Sequence, residues 1–255
     1  MRSPGSRQSP RRPRPKPQPR ISKLSGSSGC PAPAYPIVLE KVMSVTNEQI
    51  EALKQLGTAT IHEAQGQKGA IDGALRPIDP SLRLAGRALT VDIRPSDNLA
   101  IHYSLTKAKP GDVLVVDAKG FTEAGPWGDL LTMAAQKLGI VGLVIDGSVR
   151  DANTIIEMGF PTFSRGLSIK GTNKNQPGRV NVPVSIGGVV VNPGDIVVGD
   201  RDGLVVVAQD EVEEVIRLSR AREDKENGIR EGIAAGKSMV ELLGLGDKLK
   251  QFEMV

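Results

Sequence analysis

The sequence predicts an α/β domain built around a parallel β-sheet. Two observations carry this prediction. Short β-rich runs alternate with helical segments between residues 88 and 145, which is the order that places parallel strands side by side. The run from Val141 to Ile145 is continuously apolar, as expected for a strand that is covered on both faces.

The elements of the first half follow from capping and turn residues. A helix begins after Thr46, whose hydroxyl can cap it, and it continues until residues 57–60 interrupt or bend it. Strands are predicted at 88–93 and 113–117. The helix between them, at 98–108, ends at Pro110-Gly111. A further helix at 129–138 leads into the apolar strand.

The second half is rich in short strands. After a short helix at 152–158, Gly-containing turn dipeptides separate strands predicted at 162–165, 182–186, 189–191, 196–198 and 204–207. A long polar helix follows at 209–235. It is too charged for a core helix, and we expect it to pack one stripe against the body or against a neighbouring subunit.

Composition excludes several classes of protein. The longest apolar stretch, 140–145, is far shorter than the roughly 18–20 residues of a membrane-spanning helix. One cysteine and two histidines exclude a disulfide scaffold and a zinc cluster. One Trp, two Tyr and four Phe are too few to stack the bases of single-stranded nucleic acid.

Residues 1–40 are predicted to be a disordered tail in front of one domain at 41–255. Residues 1–39 hold six Arg, two Lys, no acid and half of the 18 prolines, so they lack the apolar residues of a core. The whole chain has a net charge of +4, which leaves −4 for residues 40–255. Three interpretations of the tail stay open: an over-extended start or fused leader, a functional basic arm, or an organellar transit peptide.

A glycine-containing turn at 125–128 opens the helix that starts at Asp129. The first amides of a helix are unpaired, and together with the helix dipole they can bind a carboxylate or a phosphate. Gly128 would let such a ligand approach the backbone closely. The alternative is an ordinary helix start, and the spacing alone favours it.

A second candidate segment, 145–151, follows the apolar strand, where ligands bind in open α/β sheets. Arg150 offers a planar fork for a carboxylate, and Asp151 offers a hard oxygen ligand to a divalent cation. The alternative makes Asp151 the cap of the helix at Ala152 and Arg150 a surface residue. Twenty residues, about one helix plus one strand, separate Asp129 from Arg150. Both segments are therefore expected in one crevice.

The sequence resembles the class II 4-hydroxy-4-methyl-2-oxoglutarate and 4-carboxy-4-hydroxy-2-oxoadipate aldolases, which are related to the regulator of ribonuclease activity A. The resemblance spans about residues 45–245. It rests on motifs that keep the family's order and spacing: Gly57-Thr58-Ala59-Thr60, Asp97-Asn98-Leu99, Pro110-Gly111-Asp112, Trp127-Gly128-Asp129-Leu130-Leu131, Asp146-Gly147-Ser148-Val149-Arg150-Asp151, Gly159-Phe160-Pro161, Pro193-Gly194-Asp195 and Gly199-Asp200-Arg201-Asp202-Gly203.

The resemblance implies a compact layered β/β/α fold, like that of swivelling phosphohistidine domains, assembled as homotrimers or homohexamers with sites between subunits. It implies that the backbone at Gly128, Asp129, Leu130 and Leu131 binds the 2-oxo acid end of the substrate. Arg150 would pair with substrate oxygens. Asp151 would coordinate Mg²⁺ or Mn²⁺, and Asp129 would hold a metal-bound water.

The resemblance adds a candidate catalytic residue near the C-terminus, and Asp151 indicates the branch of the family. Lys225-Glu226 resembles the place where the family contributes an acid from the adjacent subunit, so Glu226 is a candidate catalytic residue. The ribonuclease-regulator branch typically lacks the aspartate after the arginine. Because Asp151 is present, the enzymatic branch is favoured.

The implied function is a metal-dependent retro-aldol cleavage that releases pyruvate and a second oxo acid, either pyruvate or oxaloacetate. A cation next to the 2-oxo group would stabilise the pyruvate enolate. Oxaloacetate decarboxylation passes through the same enolate and is expected as a second activity. Such a lyase would serve aromatic compound degradation in the cytoplasm.

Other functions stay open. A Schiff-base mechanism would need a neutral lysine, with Lys107, Lys109, Lys119 and Lys137 as candidates. His62 and His102 are expected to be packed or surface residues rather than bases. A non-catalytic ribonuclease regulator, whose tail contacts RNA or an acidic partner, and a lyase for another 2-oxo acid are the functional alternatives.

Overall fold

The structure, a computed structural model, describes residues 45–254. The predictions for the tail at 1–40 lie outside the described residues. The helices are α1 Asn47–Gln55, α2 Thr58–Ala64, α3 Leu99–Ser104, α4 Asp129–Lys137, α5 Ala152–Glu157, α6 Val212–Ala234, α7 Met239–Leu242 and α8 Gly246–Gln251. The strands are β1 Arg76–Pro77, β2 Leu84–Asp92, β3 Asp112–Phe121, β4 Gly142–Val149, β5 Thr162–Leu167, β6 Arg179–Val180, β7 Val184–Ile186, β8 Val189–Val191, β9 Ile196–Gly199 and β10 Leu204–Val207.

A mixed sheet with the strand order β1-β5-β4-β3-β2-β9-β10 forms the centre of the domain, and β6 pairs with β2. Strands β2, β3, β4 and β5 are parallel, whereas β9 and β10 continue the sheet antiparallel. All eight residues of β4 are buried. The predicted parallel α/β core is therefore confirmed, and its apolar central strand is covered on both faces.

The sheet lies between a helical layer and a hairpin. On one face, Ile101 of α3, Leu131 of α4 and Ile155 of α5 belong to a core cluster with alternate residues of β3 and β4. On the other face, the hairpin β7–β8 contributes Val184 and Ile186 to a second cluster. The order is hairpin, sheet, helices, which agrees with the layered β/β/α fold that the resemblance implied.

Helix α6 packs one stripe against α1 and α2, as the sequence predicts. Its buried residues are Val212, Val215, Ile216 and Ser219, and the three apolar ones join a third cluster with β9 and β10. Burial of such side chains is worth about 1.5–3 kcal/mol each. No helix within residues 45–254 is both long and apolar enough to cross a membrane.

Most element boundaries differ little from those predicted, and the exceptions have local causes. Thr46 caps α1 through a capping box, and Gly57 is the N-cap of a separate helix, α2. Helix α3 is shorter than predicted because the chain turns after Ser104 and Thr106 bonds back to Tyr103. The predicted strand 182–186 begins only at Val184, because Pro183 has no amide to donate.

Candidate functional site

Two helix starts meet at one edge of the sheet. Helix α4 follows β3, α5 follows β4, and the two strands are parallel neighbours. The amide of Arg150 donates to the carbonyl of Trp127 at 2.9 Å, which joins the segment before α5 to the turn before α4. The structure thus brings Asp129, Arg150 and Asp151 into one groove of about 470 Å³, and Gly128 packs against Arg150 and Asp151.

Asp151 occupies the N-cap position of α5 but makes no capping hydrogen bond through its side chain. Its backbone is left-handed, with φ 57° and ψ 35°. This region is uncommon for residues other than glycine, although aspartate tolerates it better than most. The carboxylate Oδ2 lies 3.3 Å from Nε of Arg150 and 3.4 Å from the amide of Asp129. The alternative is right that Asp151 is the N-cap residue and that Arg150 is exposed, but the side chain of Asp151 points into the groove and does not cap the helix.

Gly128 is required by the approach of these side chains. A Cβ at Gly128 would lie 2.4 Å from Oδ2 of Asp151 and 3.1 Å from Cγ of Arg150. Gly125 is equally confined, since its Cβ would lie 2.5 Å from the carbonyl oxygen of Ser168. Close packing of the two walls of the groove therefore explains both glycines.

The first amides of α4 face carboxylates of the chain itself. The amide of Leu130 donates to Oδ1 of Asp129 at 2.7 Å, and the amide of Asp129 faces Asp151. A carboxylate at a helix start is favourable because of the helix dipole. A ligand carboxylate can use these amides only when Asp129 and Asp151 turn away, for example towards a cation.

Buried aromatic side chains pack against the turn at 125–128. Trp127 is fully buried and stacks on Phe160 with a centroid distance of 6.2 Å. Its Nε1 donates to Oγ1 of Thr132 at 2.8 Å, and this hydroxyl donates in turn to the carbonyl of Gly128 at 3.0 Å. The turn is therefore held rigidly while Asp129 and Leu130 stay accessible.

The donor set fits a divalent cation of the Mg²⁺ type. Among residues 45–254 there is no cluster of three or more His, Cys, Asp or Glu side chains that could enclose a metal. Mg²⁺ does not need such a cluster, because it is usually bound by one or two carboxylates and keeps several waters or substrate oxygens. Asp151 and Asp129 supply two carboxylates in an open groove, so the residues present fit this ion.

Glu226 does not line the groove within one chain. It lies on α6, where its carboxylate pairs with Arg222 and Arg230 at 3.1 Å each, and Arg222 also pairs with Glu63 of α2. Its predicted role required a neighbouring subunit, and that role stays a prediction.

The histidines lie where packed or surface residues are expected. His62 is half-buried on α2, with Nδ1 3.0 Å from the carbonyl of Lys68. His102 is exposed on α3, and partial burial together with the charge of Lys174 lowers its pKa.

None of the four candidate Schiff-base lysines is buried in a dry pocket. Burial lowers the pKa of Lys119, but its hydrogen bonds to Asp117 and Asp92 outweigh that effect and the pKa is raised. Lys107 lies over the ring of Tyr103, 5.3 Å from its centroid. Lys109 and Lys137 are exposed.

Sequence reasoning missed several residues of the groove. The far wall contains Leu167, Ser168 and Ile169 at the end of β5, and Ile169 is 96% exposed. These three residues belong to no recognisable motif, so nothing in the sequence predicted that they line the groove. Asn98, which donates from Nδ2 to the carbonyl of Pro126 at 2.9 Å, stood in the motif Asp97-Asn98-Leu99 but had no assigned role.

Comparisons with known proteins show the family of the chain. The family model described as RraA-like, Aldolase/RraA, matches residues 58–206, a segment that includes every groove residue and ends before α6. A protein of Halalkalibacterium halodurans with the provisional name 4-hydroxy-4-methyl-2-oxoglutarate aldolase is 34% identical over 196 residues, covering 75% of this chain and 93% of the relative.

Solved structures show the same fold. An uncharacterized protein from Pseudomonas syringae pv. tomato is 32% identical with a TM-score of 0.69, and the match covers 78% of this chain and 98% of that one. RraAS2 from Streptomyces coelicolor, described as an unusual member of the RNase ES inhibitor RraA protein family, is 31% identical with a TM-score of 0.65. That match covers 73% of this chain and 98% of the other.

Proposed function

Because this chain belongs to the RraA-like family, we propose that its groove is the active site of a divalent-metal-dependent aldolase. At the family level, the comparisons support an aldolase or a regulator of ribonuclease activity. The observation that favours the aldolase is the meeting of Asp129, Arg150 and Asp151 in one groove. A regulator that acts by binding another protein has no need for two carboxylates and a guanidinium around a cavity of this kind.

The proposed substrates are 4-hydroxy-4-methyl-2-oxoglutarate and 4-carboxy-4-hydroxy-2-oxoadipate. The C4 hydroxyl loses its proton and the C3–C4 bond breaks. C4 becomes the carbonyl of the second oxo acid, which is pyruvate or oxaloacetate. The electron pair of the broken bond forms the enolate of pyruvate, which then takes a proton at C3. Asp151 would hold a Mg²⁺ or Mn²⁺ ion, which would supply the positive charge that stabilises this enolate.

The residues of the chain orient the substrate and move its protons. Once Asp129 and Asp151 turn away from the first amides of α4, the backbone at 128–131 binds the carboxylate of the 2-oxo acid. The guanidinium of Arg150, which is 44% exposed at the rim, pairs with the substrate oxygens on which negative charge develops. Asp129 holds the water that receives the proton of the C4 hydroxyl.

We also propose a homotrimer or homohexamer in which Glu226 of one subunit reaches the groove of another. Two exposed apolar side chains, Leu167 and Ile169, line the groove, and Leu130 and Met133 are exposed on the helix that starts at Asp129. Contiguous exposed apolar residues are typical of contact surfaces. Light scattering coupled to gel filtration gives the mass of the assembly, and a monomer would contradict this part of the proposal.

Pyruvate release from both substrates tests the proposed function, with Mg²⁺, with Mn²⁺ and with EDTA. Metal-dependent release from either substrate supports the aldolase, and the ratio of the two rates gives the preferred C4 substituent. Oxaloacetate loss above the rate without enzyme is expected in parallel. Trapping with borohydride and pyruvate is expected to leave no covalent adduct, because the proposed mechanism uses no Schiff base.

If neither substrate is cleaved with either metal, the assignment of these two substrates is wrong. A regulator then predicts inhibition of a ribonuclease by the intact chain, and a lyase for another acid predicts pyruvate release from a different 4-hydroxy-2-oxo acid. Removal of residues 1–40 separates a basic arm that contacts RNA from a tail that takes no part.

A further inference from the structure

Asp97 and Asn98, at the start of α3, hold the loop at 168–178 by hydrogen bonds. The first residues of this loop form one wall of the groove. Asp97 is 2% exposed, and its Oδ2 accepts hydrogen bonds from the amides of Asn175 at 2.7 Å and Gln176 at 3.1 Å. The amide of Asn98 donates to the carbonyl of Asn173, and the amide of Asn173 donates to the carbonyl of Ser96. The middle of the loop at 168–178 is thereby fixed to the start of α3.

The other end of the same loop faces the candidate site. Ser168 and Ile169 line the groove, and the amide of Ser168 donates to the carbonyl of Val149 at 2.9 Å. The carbonyl of Lys170 accepts a hydrogen bond from the amide of Gly125, also at 2.9 Å. The loop therefore depends on Asp97 on one side and contacts the turn at 125–128 on the other.

Asn98 reaches the opposite wall directly. Its Nδ2 donates to the carbonyl of Pro126 at 2.9 Å, inside the turn that leads to Gly128 and Asp129. Asparagine is a favoured N-cap residue, and Asn98 occupies the N-cap position of α3, yet its side chain makes no capping bond. The side chain of Asn98 therefore bonds to the turn at 125–128 and does not cap α3.

The hydrogen bond from Asn98 to Pro126 uses Nδ2 of the carboxamide and leaves its Oδ1 unpaired within residues 45–254. Oδ1 of Asn98 is buried and has no hydrogen-bond partner among the described residues. An unpaired buried acceptor typically costs about 1–3 kcal/mol. An apolar residue of the same size would avoid that cost but would leave the turn without its anchor.

We propose that Asn98 is a positioning residue for the groove. Its Nδ2 holds the turn at 125–128 in place, so that the first amides of α4 meet the carboxylate of the substrate, while Asp97 fixes the facing loop. The inference rests on the proposed function, because a 2-oxo acid is the ligand whose carboxylate these amides would bind.

The test is Asn98→Asp, which keeps the size of the side chain but has no donor for the carbonyl of Pro126 once it is ionised. The KM for the cleaved 2-oxo acid is expected to rise about tenfold at pH 8, with kcat within threefold of the wild type, because substrate binding is what the turn provides. Asn181→Asp is the matched control. Asn181 is exposed and lies outside the groove, so its variant should keep both constants.

Amide hydrogen exchange supplies a readout that does not need activity. In Asn98→Asp, exchange is expected to accelerate in peptides that cover 125–132, while the central strand β4 keeps its protection. If Asn98→Asp does not fold, Asn98→Ser replaces it, since the shorter hydroxyl does not span the gap to Pro126.

The outcomes separate this inference from the proposed function. If the wild type cleaves neither substrate, the proposed function fails, and faster exchange confined to 125–132 still supports the anchoring of the turn by Asn98. An active wild type together with an Asn98→Asp variant of unchanged KM overturns the inference and leaves the function intact. Faster exchange throughout the sheet, with a lower Tm and an unchanged KM, assigns Asn98 a structural role only and also overturns it.

Discussion

Asp129 and Asp151 lie 22 positions apart in the sequence, yet the amide nitrogen of the first is 3.4 Å from Oδ2 of the second. Helix α4 and strand β4 form the connection between them. The contact places two carboxylates at the start of α4, where they occupy the amides that a substrate carboxylate would use. A substrate carboxylate must therefore displace the carboxylates of Asp129 and Asp151 from these amides when it binds. A cation bound at Asp151 would favour that displacement.

Gly128→Ala is expected to abolish most of the pyruvate release while the fold is kept. The added Cβ would lie 2.4 Å from Oδ2 of Asp151, so the carboxylate or the turn must move. A displacement of this size at a reacting centre commonly costs about 100-fold in rate. Steady-state kinetics and a thermal melt measure both effects.

Gly73→Ala is the control for that variant. A Cβ at Gly73 would meet its nearest neighbour, Nη2 of Arg76, at 3.6 Å, which is an ordinary contact. Its activity should match the wild type. Wild-type kcat/KM in Gly128→Ala would show that the close approach of Asp151 to the turn is unimportant for the reaction.

Arg150→Lys is expected to lower kcat/KM about 100-fold. This corresponds to a loss of about 2.7 kcal/mol of transition-state stabilisation. The lysine keeps the positive charge but loses the planar pair of donors that a carboxylate or enolate accepts. The control is Arg217→Lys, at a solvent-exposed ion pair with Glu214 on α6 that lies outside the groove. An Arg150→Lys enzyme with wild-type kinetics would reduce Arg150 to a nonspecific positive charge.

Asp200 is expected to link stability to acid pH. Burial raises the pKa of its carboxyl, but the hydrogen bonds from the amide and hydroxyl of Thr58 and the amide of Asp202 outweigh burial, and the pKa is lowered. A carboxyl with a lower pKa in the folded state stabilises the fold above its unfolded pKa of about 3.9, and this contribution disappears as the pH falls through the folded pKa. Asp200→Asn should therefore lower the free energy of unfolding at pH 7 and flatten its decline below about pH 4.

Urea denaturation across the acid range measures this effect, with Asp247→Asn as the control at an exposed carboxyl. Asp195 is expected to change the pH dependence of stability in the opposite direction, because burial raises the pKa of its carboxyl. Its ionised form costs stability that is recovered as the pH falls, so Asp195→Asn should steepen the decline in acid. Identical slopes for Asp200→Asn and the wild type would show that these hydrogen bonds do not hold the folded carboxyl ionised.

The parts of the fold that the sequence predicts are those with a local or periodic signal. The apolar run at 141–145, the capping residue Thr46 and the turn Gly187-Gly188 each act over a few residues. Gly187 and Gly188 have φ of 49° and 84°, as the tight hairpin between β7 and β8 requires. The common crevice was also predictable, because one helix plus one strand returns a parallel chain to the same edge of the sheet.

The parts that could not be predicted depend on long-range contacts. Strands β1 and β6 have two residues each, too few for a period, and exist only because β5 and β2 offer them an edge. The wall at Ser168 and Ile169 is placed through Asp97, whose partners Asn175 and Gln176 are 78 and 79 residues distant. The left-handed backbone of Asp151, which turns its carboxylate away from capping, also has no signature in the sequence.

The central claim is that Asp151 makes the groove a metal-dependent site of carbon–carbon bond cleavage. The most direct measurement is the rate of pyruvate release from 4-hydroxy-4-methyl-2-oxoglutarate and 4-carboxy-4-hydroxy-2-oxoadipate during a titration with Mg²⁺, for the wild type, Asp151→Asn and Asp247→Asn. We expect the wild type and Asp247→Asn to lose activity in EDTA and to regain it with Mg²⁺, and Asp151→Asn to stay at least about 100-fold slower at every concentration. Wild-type rates in Asp151→Asn, or pyruvate release that continues in EDTA, would contradict the claim.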